Sequence, residues 1–375
     1  MKFGTADVEN KRILILSAGF GDGHNAAAYG LREAFQSRGH LVEIVDVFDR
    51  AHPTLNEFLR NTYRFGITHT PRIWQAVYRS SDAADFTRRR FDVFSPSTKE
   101  LKRTLESFRP DAVVSTYPLY AHLIERLVGT TEHLPFPFIS VVTDAESINS
   151  IWYSSPSDHY CVIDESSADA LRRAGIAADQ IQVFGFPISP AFDQPEAFFP
   201  DSPLRILFLP STKKAMVTRT LRQLASNQQL PPRVITVALG RHFERLEKTV
   251  ARATKNSPAQ VTFDIIGWTD RIPTLLQTHH CVISKAGGAA VQEAMAARCP
   301  LLINYIVPGQ EEGNARQAVQ AGCARIVRDG EAIDQLLVGL LADERRQLRA
   351  MRAAAKEASN PAAADHIARF VLSKT

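Results

Sequence analysis

The chain is poor in the signals that mark metal, redox and membrane-spanning proteins. Its four cysteines, Cys161, Cys281, Cys299 and Cys323, form no C-x-x-C pair, which argues against a zinc ribbon or a disulfide framework and fits a reducing cytoplasm. No run free of Asp, Glu, Lys and Arg exceeds 13 residues, short of the ~20 that a transmembrane helix needs. The first residues, Met-Lys-Phe-Gly-Thr-Ala-Asp, lack the apolar core of a signal peptide. Neither Gly-x-Ser-x-Gly nor His-Glu-x-x-His occurs. Charge bias is slight: 44 basic against 40 acidic residues leaves +4, too little to imply nucleic acid. With 45% apolar and 22% charged residues the chain is globular, and its 375 residues exceed what one core usually serves. These absences point to a cytoplasmic protein of two domains that is soluble or touches a membrane only peripherally.

Residues 1–10 read as a loose polar tail. Structure begins at Arg12-Ile-Leu-Ile-Leu-Ser17, an unbroken apolar run of the kind buried on both faces of a parallel sheet. A glycine-rich turn, a helical stretch from His24 to about Arg38 closed by Gly39, and a strand Leu41–Val47 complete a βαβ unit. Strands follow at 111–116, 138–143, 160–163 and 181–184. Between about 186 and 204, Pro187, Pro190, Pro195, Pro200 and Pro203 punctuate a stretch with little periodicity. Its part 189–203 reads as a linker between a domain at 11–188 and another at 204–358. The second opens on Leu204-Arg-Ile-Leu-Phe-Leu209, an echo of Arg12–Leu16, and continues with strands at 234–239, 261–266, 281–284 and 301–304. The expected class is α/β: two Rossmann-like, doubly wound domains facing a cleft at their strand carboxyl ends. Residues 359–375 read as a terminal helix returning to the first domain.

Three segments carry chemistry. Ser284-Lys-Ala-Gly-Gly-Ala-Ala-Val-Gln-Glu293 is a strand, a turn at Ala286, Gly287 and Gly288, and a helix start. A helix N-terminus presents free N–H groups and about half a positive charge to a phosphate, and glycines let the backbone approach it. Glu293, one turn in, suits a ribose diol, although the same residues also make a plain strand–helix connection. Tyr305-Ile-Val-Pro-Gly-Gln-Glu-Glu-Gly-Asn314 follows the next strand, and Gln310, Glu311 and Asn314 offer amides and carboxylates to sugar hydroxyls. At the other end, Gly19, Gly21, Asp22 and Gly23 lead to His24. The glycine spacing is neither a dinucleotide fingerprint nor a P-loop. A histidine at a helix start loses proton affinity to the helix dipole and stays a neutral base near pH 7.

Together, Ser17-x-Gly-x-Gly-x-Gly-His24, Lys285-Ala-Gly-Gly…Glu293-Ala and Pro308-Gly-Gln-Glu-x-x-Asn314 resemble the monogalactosyldiacylglycerol synthases and processive diacylglycerol glucosyltransferases over most of residues 11–330. The resemblance implies a GT-B fold, a UDP-hexose donor held by the second domain, diacylglycerol met by the first, and no cofactor or metal; N-acetylglucosamine transfer to a polyprenyl-linked acceptor and a non-catalytic UDP-sugar sensor stand as the alternatives. It implies His24 as base, Glu293 as ribose ligand, Gln310 and Glu311 as hexose ligands, and Ile266-Gly267-Trp268 as the uracil-reading segment. One place departs from the family: Leu209-Pro-Ser-Thr-Lys-Lys214 stands where a glycine-rich loop is expected. Ser211, Thr212 and Lys213 there are candidates to hold phosphate by hydroxyl and charge.

Residues 60–103 carry ten basic and four acidic side chains, so the remaining 331 residues sum to −2. Aromatics are interleaved with the charge, and Arg72, Trp74, Tyr78, Arg88, Arg89 and Arg90 form the candidate contact with an anionic membrane. A lipid acceptor makes that the favoured reading over a single-stranded nucleic acid or a solvated helical face. Asp144-Ala-Glu146 is too short a signal for a metal site, and His279-His280 read as packing residues.

Overall fold

The computed structural model describes residues 10–19, 22–58, 62, 95–129, 134–144, 148–193, 203–211, 213–307, 311–327 and 332–375, with Asp22 by its backbone alone. Gly21, Thr212, Gln310 and the membrane candidates Arg72, Trp74, Tyr78, Arg88, Arg89 and Arg90 lie outside these residues, as do 194–202 of the proline-rich stretch. The chain clusters into two compact units, Met1–Pro190 with Asn360–Thr375, and Ala191–Ser359.

The first unit runs β1 (Arg12–Leu16), α1 (Asp22–Gln36), β2 (Leu41–Val45), α2 (Val47–Ala51), α3 (Ser95–Phe108), β3 (Ala112–Ser115), α4 (Leu119–Val128), β4 (Phe138–Val141), β5 (His159–Val162), α5 (Glu165–Arg173) and β6 (Ile181–Val183). Its strands pair in parallel in the order β2-β1-β3-β4-β5-β6. The unbroken apolar run of β1 has a direct cause: both faces of the strand are covered. Ile13 and Ile15 pack on Ala28, Leu31 and Phe35 of α1 and on Ile367 and Val371 of the C-terminal helix, Ala363–Leu372. Leu14 and Leu16 face Leu101 of α3 and Tyr120, Leu123 and Ile124 of α4. All four strand side chains are fully buried, each such burial contributing about 1.5–3 kcal/mol. The C-terminal helix presents Ala364, Ile367, Ala368 and Val371 to that core, a spacing of i, i+3, i+4 and i+7.

Midway along α1, Gly30 runs against main chain: a Cβ there would lie 2.4 Å from the Pro187 carbonyl oxygen and 2.7 Å from that of Ile188. A close approach of two backbones explains this glycine inside a helix.

The second unit runs β7 (Leu204–Phe208), α6 (Lys214–Ser226), β8 (Arg233–Ala238), α7 (Phe243–Thr254), β9 (Val261–Ile266), α8 (Ile272–Thr278), β10 (Cys281–Lys285), α9 (Gly288–Ala296), β11 (Leu301–Tyr305), α10 (Glu312–Gln320), β12 (Ala324–Ile326) and α11 (Ile333–Ala358). Its parallel sheet has the order β12-β11-β10-β7-β8-β9. Leu204, Ile206 and Phe208 of β7 pack on Val217, Leu221 and Leu224 of α6 and on Leu337 and Leu340 of α11. Asp343, Glu344 and Arg345 break α11 with φ of 49°, 55° and 61°. The last turn of α6 is closed by buried Arg233, whose guanidinium donates to the carbonyls of Leu224, Ala225, Asn227, Leu230 and Pro231.

Every strand read from the sequence forms, several ending a residue or two earlier than expected. Ser17, Thr116 and Thr143, read as last strand residues, fall just past β1, β3 and β4. β12 escaped the sequence reading because three residues at a sheet edge, two of them exposed, carry no periodic signal. The four cysteines are free and buried, and burial pushes their thiols up, that of Cys299 to about 12, so they are inert at neutral pH.

Candidate active site

In each sheet the chain first winds one way from the starting strand and then the other. In open α/β sheets, ligands bind outside the strand carboxyl ends at that reversal. It falls between β1 and β3 in the first unit and between β7 and β10 in the second.

At the first reversal β1 runs through Ser17 into the glycine loop. Tyr120, buried in α4, donates its hydroxyl proton to the Ser17 carbonyl at 2.7 Å and accepts the Val47 N–H at 3.0 Å. Burial holds this phenol well above its usual pKa, so it stays a donor. Ser17 Oγ donates to Asn25 Oδ1 at 2.9 Å. Asp46, just past β2, accepts the Gly19 N–H at 3.1 Å with one oxygen and caps α2 through the Asp49 N–H with the other. These ties hold Ser17 and Gly19 at the start of the glycine loop and join Ser17 to Asn25 at the start of α1.

His24, in the first turn of α1, is partly open to solvent. Its Nδ1 lies 2.8 Å from the Thr116 carbonyl oxygen and 2.8 Å from Thr143 Oγ1. A carbonyl only accepts, so Nδ1 carries the proton and Nε2 keeps a lone pair. Tyr117 packs edge-on against the ring at 5.1 Å between centroids, and Trp152 lies at 6.2 Å. The pKa of His24 is lowered: burial is the main cause, opposed by the charge of Asp144 and by the Thr116 carbonyl. The lowered pKa keeps the His24 imidazole neutral near pH 7, with desolvation the largest cause.

At the second reversal β10 ends in the turn Ala286–Gly288 that starts α9. The Ala286 N–H donates to the Tyr305 carbonyl at 3.0 Å, and the Ala286 carbonyl accepts Asn314 Nδ2 at 3.2 Å. A Cβ on Gly287 would sit 3.2 Å from Lys285 Nζ, a tight contact that the lysine would have to yield to. That ammonium donates to Glu311 Oε1 at 2.6 Å, while Glu311 Oε2 accepts the Val307 N–H at 2.9 Å. Glu311 is 6% exposed, so the carboxylate read as a hexose ligand has two partners inside the protein and ties the loop after β11 to the end of β10. Asn314 makes a similar tie to the turn. Glu293 lies half-buried in the second turn of α9.

On the other side of this reversal, Lys213 caps α6, and its Nζ stands 4.1 Å over the Tyr305 ring. Ser211 Oγ donates to Met216 Sδ at 3.7 Å. The altered loop after β7 thus places a cation beside the β10–β11 loops. Ile266 ends edge strand β9 and Gly267 and Trp268 follow it; a Cβ on Gly267 would meet the Phe243 ring at 3.5 Å, and Trp268 is 69% exposed.

Sequence reasoning assigned no site role to Thr116, Thr143 and Asp144 around His24, weighing Asp144 only as part of a weak metal signal, nor to Asn304 and the Lys285 side chain beside the glycine turn. Asn304 is the extra residue where Ser284 pairs with Ile303 but Lys285 with Tyr305, and both its side-chain polar atoms are buried without a partner. All five lie at or just beyond the carboxyl ends of strands at a reversal or one strand from it, a signal available once strand order is known. His279 and His280 prove to be packing residues. His279 bonds the Leu275 carbonyl and Thr236, and His280 accepts the Arg205 N–H and meets Arg345.

Among known proteins, residues 24–188 match the monogalactosyldiacylglycerol (MGDG) synthase family and residues 212–369 match the glycosyltransferase family 28 C-terminal domain. A processive diacylglycerol beta-glucosyltransferase of Bacillus cereus (strain AH820) is 26% identical over 375 residues, 98% of this chain and 95% of the relative. The crystal structure of Acinetobacter baumannii MurG superposes with TM-score 0.62 at 18% identity, covering 97% of this chain and 99% of that one. A UDP-N-acetylglucosamine 2-epimerase superposes with TM-score 0.60 at 13% identity over 97% and 95% of the two chains. The fold is GT-B, two Rossmann-like α/β units. CalG4, the calicheamicin glycosyltransferase, superposes with TM-score 0.59 at 15% identity over 97% of this chain and 99% of that one, so a glycosyltransferase and an epimerase share the fold and it alone does not choose the reaction.

Proposed function

The chain belongs to the family of monogalactosyldiacylglycerol synthases and processive diacylglycerol glucosyltransferases, and from that premise we propose that it transfers a hexose from a UDP-sugar to diacylglycerol. The observation that carries the reading is His24: a neutral imidazole at the reversal of the first sheet, with Nδ1 tied to a carbonyl and the Nε2 lone pair left to take a proton.

In this reading the acceptor hydroxyl lies against the loop of Gly19, Gly21, Asp22 and Gly23. Nε2 removes its proton as the oxygen bonds to the anomeric carbon. The bond from that carbon to the diphosphate breaks, its electron pair leaves with UDP, and configuration inverts. Positioned base catalysis of this kind contributes roughly 10²–10⁴ in rate. The departing diphosphate gains negative charge at the N-terminus of α9, where Gly287 and Gly288 expose main-chain N–H groups. Such a placement stabilises an anion by about 0.3–1 kcal/mol when exposed and up to ~2 when partly buried. Ser211, Thr212 and Lys213 add hydroxyl and charge from the α6 side. Glu293 serves the ribose, main-chain groups of 266–268 the uracil, and Gln310 and Asn314 the hexose, with Glu311 holding their loop. The base, cationic and main-chain groups serve this displacement with no metal assigned a role. The basic, aromatic segment around Arg72, Trp74, Tyr78 and Arg88–Arg90 docks the protein on the anionic cytoplasmic face of the membrane. Among the described residues no helix is long and apolar enough to cross it.

The test supplies UDP-glucose, UDP-galactose and UDP-N-acetylglucosamine in turn with diacylglycerol in anionic micelles. One hexose donor should give glycolipid with the wild type. His24→Ala should lower kcat by roughly 10²–10⁴ while leaving UDP-sugar binding intact. No glycolipid from any donor, or full activity in His24→Ala, would refute the reading.

A further inference from the structure

The pair Thr143-Asp144 at the end of β4 has no part in the reading so far, yet it is built around His24. Thr143 is 7% exposed and puts its hydroxyl 2.8 Å from Nδ1. The adjacent carboxylate of Asp144 is held in place: Oδ2 accepts the indole N–H of Trp152 at 2.8 Å, and Trp152 is 1% exposed with its ring 6.2 Å from that of His24. The Trp152 turn is itself fixed, because Asn149 Oδ1 accepts the Ile151 N–H at 3.1 Å. From the geometry we infer that Thr143 and Asp144 are positioning residues for the base: Thr143 shares the Nδ1 proton with the Thr116 carbonyl, and Asp144 supplies the countercharge for the imidazolium formed when Nε2 takes the acceptor proton. This inference rests on the transferase reading.

The division of labour follows from what each group can do. With Nδ1 as donor, the Thr143 hydroxyl acts as acceptor toward it, so a second contact joins the Thr116 carbonyl in fixing ring orientation and tautomer. Asp144 makes its recorded hydrogen bond to Trp152 rather than to the imidazole, so it acts on the ring through space. Its charge favours the protonated ring and partly offsets burial. Among the described side chains, the other groups in contact with His24 are uncharged: Tyr117 past β3, Thr116, and Trp152. Asp46 past β2, beside the glycine loop, is engaged by the Gly19 and Asp49 N–H groups. A base that begins neutral and ends charged in a poorly solvated site gains from a fixed opposite charge, because that charge lowers the transition state more than the resting state.

Asp144→Asn tests the charge while keeping an oxygen for the Trp152 N–H, and Asp144→Glu keeps the charge. The His24 titration is followed by NMR on histidine-labelled full-length protein, its signal assigned by its loss in His24→Ala. The pH dependence of kcat/KM is measured alongside. Removing a charge that favours protonation should move the His24 midpoint and the acid limb of kcat/KM to lower pH. It should also lower kcat roughly tenfold or more, part of the 10²–10⁴ that a positioned base contributes, at unchanged KM for UDP-sugar. Asp144→Glu should keep the midpoint near wild type. Thr143→Val should lower kcat, and Thr143→Ser should restore it. A midpoint in Asp144→Asn that stays put or rises would overturn the inference, as would full kcat in Thr143→Val. Wild-type protein that makes no glycolipid would instead defeat the transferase reading, and the NMR midpoint would still decide where Asp144 acts.

Discussion

Gly30→Ala is the sharpest test of how the first unit carries its base. In an open helix this change stabilises, since alanine is about 1 kcal/mol better than glycine in a helix interior. Here the added methyl would lie 2.4 Å from the Pro187 carbonyl oxygen and 2.7 Å from Ile188 C and O, all main-chain atoms that no rotamer change can move aside. Overpacking of this kind typically costs about 1–3 kcal/mol, and more where backbone must shift. The clash outweighs the propensity gain, and a net loss of about 1–3 kcal/mol is expected. In a unit of this size that lowers the midpoint by roughly 2–4 °C per kcal/mol. Relief comes by α1 moving off residues 187–188, and α1 carries His24 in its first turn, so kcat should fall together with stability. Thermal unfolding of the first unit, followed by hydrogen exchange, and initial rates of glycolipid formation measure both. A variant as stable as wild type, or more so, would refute the close approach; lost stability with full activity would refute the link from helix position to base position.

Two further outcomes concern the second unit. Arg233→Met should destabilise it by at least about 3 kcal/mol in urea, because five carbonyls around the end of α6 lose their donor and each buried unpaired group costs about 1–3 kcal/mol; Arg233→Lys should recover little, having three donors and no planar fork. Burial lowers the pKa of His279 to about 4, against 6.5 in the unfolded chain. Between those values the unfolded chain binds more protons, so stability is full above pH 6.5 and falls as pH drops toward 4, by roughly 3 kcal/mol in all. Urea midpoints at pH 7 and pH 5 should show that slope, and His279→Gln should flatten it.

Local sequence sufficed for the strands, the glycine turns, the helix starts and the resemblance to a glycosyltransferase family. Each of these rests on neighbours in the chain: a five-residue apolar run says that both faces will be covered, and Gly287-Gly288 before a helix says that main chain must come close to something. Strand order is not written locally. It is decided by which faces pack, and because loop-closure entropy grows only slowly with length, partners distant in sequence are as available as near ones. Only the tertiary structure therefore brought Thr116 and Thr143, 92 and 119 residues away, onto one nitrogen of His24. It alone turned Asp144 from part of a weak acidic triplet into a charge acting on His24. It alone gave Glu311 to Lys285, 26 residues apart, because β10 and β11 lie side by side and the buried carboxylate takes the partners that its own loops supply.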